Sequence, residues 1–112
     1  RAIIFNFLYM QANIKANNFE LTPAIRSYAE KKLNMLDKYL GNVVPISCDM
    51  EVEKTTRHHW KGDVFRAEIN LQLPGELLRI EKIEPNLYKA IEKTKDHLAQ
   101  MIVKYKEKRQ LR

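Results

Sequence analysis

The chain reads as an α+β domain of order β-α-β-β-β-α, a four-stranded sheet with two helices packed on one of its faces. Three observations predict this. Two central segments, "PISCDMEVEK" and "FRAEINLQL", alternate apolar and polar residues with a period of two. A punctuated amphipathic helix precedes them and a longer one follows. An alternating strand buries one face only, so it needs a covering layer, and two helices with apolar stripes supply one.

Taken in order, "MQANIKAN" alternates weakly and predicts a first strand over Met10–Ala16. "LTPAIRSYAEKKLNMLDKYLG" carries the marks of one helix. Thr22 suits the N-cap, Pro23 the first helical position, and Gly41 the left-handed residue beyond the end. Ile25, Ala29, Leu33, Leu36 and Leu40 repeat at three-and-four spacing and form its buried stripe. In the second strand Ile46, Cys48, Met50 and Val52 point inward. Phe65, Ala67, Ile69, Leu71 and Leu73 do so in the third. Pro74-Gly75 marks a tight turn into "LLRIEKI", the last strand. The final helix runs from Pro85 to about Lys108, with Leu87, Ile91, Thr94, Leu98, Met101 and Tyr105 toward the core.

At 112 residues the chain is one domain, large enough to bury a core without disulfides or a metal. A single cysteine, Cys48, excludes an internal disulfide framework, fits a reducing cytoplasm, and falls in an inward register as a small buried hydrophobe. The net charge of +6 favours an anionic partner. From Pro85 to Arg112 there are eight Lys or Arg against three Asp or Glu, so the positive field belongs to the last helix and the tail.

On that helix Lys89, Lys93, His97, Gln100, Lys104 and Lys108 fall within a band roughly 100° wide, away from the core stripe. Of the acidic residues on this helix, Glu92 and Asp96 flank the band and Glu107 falls at its edge, at the angle of Lys89. A solvated face usually mixes signs evenly for i,i+4 pairing, whereas a ridge in which cations predominate can track phosphates. The first helix adds Arg26, Lys31, Lys32 and Lys38. With the helices side by side, the two polar faces would make one basic surface.

"ELTPAIRSYAEKKLNMLDKY", then "VEK", then "NLYKAIEKTKDHLAQMIVKYKEK" resemble the family of ribosome hibernation promoting factors and ribosome-associated inhibitors, also known as sigma-54 modulation proteins. The resemblance runs from Met10 to Lys108. It implies a domain similar to double-stranded RNA-binding domains that occupies the small ribosomal subunit, with its 16S-type rRNA, between head and body. There it would cover the messenger RNA and the A- and P-site transfer RNA positions in stress or stationary phase. Inhibition would be steric, by a protein monomeric when free, with no cofactor and no small-molecule substrate. Matching the family's basic positions gives Lys32, Lys38 and Lys104. Met35, His97 and Gln100 stand where the family is often basic, and Lys31, Lys89, Lys93 and Lys108 are expected to compensate. The expected organisation is an extension over 1–9, a ribosome-binding domain over 10–108 and a basic tail over 109–112, a short form without a further dimerising domain. Met10 is an alternative start.

Rival classes find little support in the residues. No P-loop, dinucleotide-binding glycine motif or nucleophile elbow occurs, so no enzyme is expected. The apolar start "RAIIFNFLY" is too short to span a bilayer, and no membrane partner is expected. The pair His58-His59 in "KTTRHHWKGD" would point to opposite faces of an extended segment, and no second ligand pair accompanies it, so no metal is expected. Arg57, His58, Trp60 and Lys61 in that hairpin remain secondary RNA-contact candidates, with Trp60 folding over the sheet edge as the alternative. A general double-stranded RNA-binding module is the competing function.

Overall fold

The computed structural model describes residues 12–56 and 62–110. Its elements are β1 (Asn13–Asn17), α1 (Pro23–Asn34), α2 (Asp37–Leu40), β2 (Ser47–Thr56), β3 (Asp63–Leu73), β4 (Glu76–Glu84) and α3 (Leu87–Gln110). The strands lie in the order β1-β2-β3-β4. The β2–β3 and β3–β4 pairs are antiparallel hairpins, and Gly75 at φ +80° turns the second of them. The β1–β2 pair is parallel, because α1 and α2 form a crossover between them, so the sheet is mixed rather than wholly antiparallel.

Alternation sorts the sheet into two faces. Cys48, Met50, Val52, Ala67, Ile69, Leu71, Leu73 and Leu78 are buried beneath the helices, with Leu33, Leu36, Leu40, Leu87, Ile91, Leu98 and Ile102 above them. α3 lies across β3 and β4 and packs sideways on α1 and α2. Burial holds the Cys48 thiol well above its usual range, at about 12, so it is protonated and inert.

The element boundaries carry the expected chemistry, with corrections. Thr22 caps α1 by accepting from the Ile25 N–H at 3.2 Å, and Pro23 follows it. The single first helix of the sequence reading is broken after Asn34. The N–H of Leu36 donates to the Leu33 carbonyl at 3.0 Å, and that of Met35 to Lys32 at 3.2 Å. These i→i+3 bonds tighten the turn, and Leu36 and Leu40 both end in the core at 0% and 2% exposure. Gly41 closes α2 at φ +59°.

α3 starts at Leu87 rather than Pro85, because Asn86 is its cap, accepting from the Lys89 N–H at 3.0 Å. It continues through Gln110, so positions 109 and 110 of the expected tail are helical. Ile102 is fully buried and Met101 only partly, because α3 faces the sheet and α1 at once and its stripe is wider than one sheet contact demands. Ile46 is 63% exposed: it precedes β2, outside the helical cover. Phe65 is half-buried and stacks edge-on with Phe19, centroids 6.0 Å apart. Met10 lies outside the described residues, and β1 begins at Asn13 and ends one residue beyond Ala16.

Candidate nucleic-acid interface

The outward faces of α1, α2 and α3 form one surface, and the sequence-predicted cations divide on it into two groups. Lys31, Lys38, Lys89, Lys93, His97, Gln100, Lys104 and Lys108 are all exposed. Lys93 reaches Glu84 at 3.8 Å and Lys108 reaches Glu76 at 3.2 Å, but these lysine side chains are 50% and 64% exposed. Exposed pairs of this kind are worth about 1 kcal/mol or less, so both ammonium groups can exchange their carboxylate for a phosphate. Lys38 lies over the Tyr39 ring at 5.3 Å.

Lys32 belongs to the other group. Its ammonium donates to Glu92 Oε1 at 2.7 Å, its side chain is only 17% exposed, and it lies 5.3 Å from the centre of the Tyr28 ring. The Glu92 hydrogen bond raises the Lys32 pKa, and the same bond holds Glu92 below its ordinary value. Glu92 also meets Lys95 at 3.6 Å, and Lys95 reaches Asp96 at 2.7 Å with its own side chain 8% exposed. Tyr28 and Tyr88 pack edge-on at 4.7 Å beside this network. Lys32 is therefore an interhelical strut that fixes α1 against α3, and its charge is spent largely within the protein.

Sequence reasoning missed Lys95, a nearly buried cation, and the role of Glu92. The i,i+3 spacing of Glu92 and Lys95 on the α1-facing flank was the available signal. Arg57, His58, Trp60 and Lys61 lie outside the described residues. Among the described residues no group of His, Cys, Asp or Glu is arranged to hold a metal, and no helix is long and apolar enough to cross a membrane.

The opposite side of the sheet has the reverse character. Asp49, Glu51, Glu53, Glu68 and Glu81 share it with Lys15, Arg66 and Arg79. Arg66 gathers Glu68 at 2.7 Å, Glu53 at 2.9 Å and Glu51 at 3.1 Å. Burial opposes the Arg66 charge, but the hydrogen bonds to Glu53, Glu51 and Glu68 outweigh it and raise its pKa. Burial likewise works against ionised Glu68, yet Arg79 and Arg66 hold it below the usual glutamate range. The molecule thus has a basic helical side and an acid-rich sheet side, a polarity that orients an approaching polyanion.

An α+β sheet covered on one face by helices that carry exposed cations is the class of architecture this chain presents. The sequence profile of the family described as Sigma 54 modulation protein / S30EA ribosomal protein matches residues 12–110, and this chain belongs to that family. It is similar to a ribosome hibernation promotion factor of Deinococcus radiodurans, 29% identical over 93 residues that cover 83% of this chain and 47% of that protein. It is similar also to a ribosome hibernation promoting factor of Klebsiella oxytoca, 29% identical over 99 residues, 88% of this chain and 96% of that one. The chain spans about half the length of the first relative and nearly all of the second. Among solved structures, the crystal structure of the Thermus thermophilus Protein Y N-terminal domain superposes with a TM-score of 0.66. It is 32% identical and covers 86% of this chain and 97% of that one.

Proposed function

We propose that this chain is a ribosome hibernation factor whose helical face docks on 16S-type rRNA of the small ribosomal subunit. In this reading it occupies the messenger RNA and A- and P-site transfer RNA region in stress or stationary phase. Translation stops by steric occupancy, with no bond made or broken and no cofactor consumed. The protein works in the cytoplasm and is monomeric when free.

The observation that carries this reading is the set of exposed cations on α1, α2 and α3, set against an acid-rich sheet. Folded rRNA presents phosphates on closely spaced strands, and a rigid two-helix face can meet several at once. Family membership and the names of the relatives point the same way. The Lys32–Glu92 strut supports it by fixing the spacing between the two rows of free lysines.

Sedimentation with purified small subunits at moderate salt tests the reading. The protein should pellet with subunits, and transfer RNA together with messenger RNA should displace it. Failure to pellet, combined with tight binding to a naked RNA duplex, would replace it with the general double-stranded RNA-binding module.

A further inference from the structure

We propose that the cleft between the α1–α2 break and α3 is a pocket for one unpaired nucleobase, an inference that rests on the RNA-binding reading and names what the surface would read. The break in the first helix leaves a recess of about 330 Å³ against α3. That is the low end of the size range for small-ligand clefts. Its wall is apolar, formed by Met35, Tyr39, Ala99 and Val103, and Lys38, Asp96 and Gln100 stand around it.

Met35 and Val103 are 40% and 39% exposed, two large apolar side chains left open within a basic surface. A phosphate gains nothing from a thioether or an isopropyl group. A base does, because its flat face can pack on Met35 and Val103 beside the Tyr39 ring. The polar groups suit the edge of a base as well. Gln100 is exposed and carries both an amide donor and a carbonyl acceptor. Asp96 is accept-only and would take an exocyclic amine.

Charge sets the orientation of the nucleotide. Asp96 repels a phosphate from the recess, and Lys95 at its back is already held by Asp96 and Glu92. Of the free cations, Lys38 on α2 lines the recess, and Lys104 stands outside it, one turn along α3 from Gln100. The phosphate therefore belongs outside on those lysines, and the base inside. An amine-bearing base such as adenine satisfies both Asp96 and Gln100, whereas uracil offers Asp96 no exocyclic donor.

The test uses methyl NMR of the whole chain with two strands of equal length, octaadenylate and an abasic ribose-phosphate strand. Octaadenylate should move the Met35 and Val103 methyl resonances upfield through the ring current of a stacked base, and the abasic strand should not. Met35→Ala and Val103→Ser alter exposed positions; with melting temperatures checked, each should weaken octaadenylate binding by roughly 5- to 100-fold. Affinity for the abasic strand and its salt slope should stay unchanged. Equal methyl shifts with both strands, or none with octaadenylate, would overturn the pocket. Small-subunit sedimentation separates the two ideas: pelleting without a ring-current shift removes the pocket alone, and a shift without pelleting removes the hibernation reading alone.

Discussion

Replacing Lys89, Lys93 and Lys104 together by Glu tests whether α3 is the contact surface. All three are exposed, and Lys89 and Lys104 make no ion pair among the described residues. Lys93 gives up only its 3.8 Å approach to Glu84, so the fold should lose about 1 kcal/mol or less. With α3 as the binding face, the effect on RNA binding should be far larger. Each neutralised phosphate contributes a slope of roughly 0.7 to 0.9 in log affinity against log salt, so three lost contacts flatten the slope by about 2 to 3. Between about 50 and 200 mM salt, the native protein should therefore lose roughly 20- to 40-fold more affinity than the variant. The assay is subunit co-sedimentation across a salt series, with thermal melting as the check on folding. An unchanged slope in a folded variant would refute α3 as the binding face.

Three further outcomes follow from the packing. Leu36→Ala should destabilise the domain by about 2–5 kcal/mol in urea unfolding, whereas Met35→Ala should cost roughly 0.5 kcal/mol or less, because the tightened turn buries only the former. Arg66→Leu should cost about 2 kcal/mol near neutral pH by leaving Glu51, Glu53 and Glu68 crowded without their shared donor. That cost should shrink in acid. Because the folded-state pKa of Glu68 is lowered, its contribution is complete above the ordinary value of 4.5 and is lost as pH falls through the lower folded value; denaturant titrations of both proteins at several pH values check the sign. Cys48, buried with its pKa pushed up to about 12, should resist a thiol reagent in the native state and react at once on unfolding.

The elements were legible in the residues because their causes are local. Period-two alternation in β2 and β3, the Thr22–Pro23 start, the Gly41 stop and the excess of positive charge on α3 each depend on neighbours within a turn or two. That locality also carried Lys89, Lys93, His97, Gln100, Lys104 and Lys108 correctly to an exposed face. It did not reach contacts that a second element supplies. Lys32 looked like another free lysine until α3 brought Glu92 to 2.7 Å, and Lys95 disappeared between helices whose packing no single helical wheel describes.

The sequence by itself therefore determined the order of helices and strands, where the charge collects and which family the chain resembles. Only the tertiary structure decided which cations are free and which serve as struts, that β1 joins the sheet in parallel, and that a tightened turn at Met35–Leu36 opens an apolar recess among lysines. The physical reason is separation along the chain. Residues 32 and 92, or 35 and 103, meet only when the sheet has set two helices side by side, and that geometry belongs to the packed core.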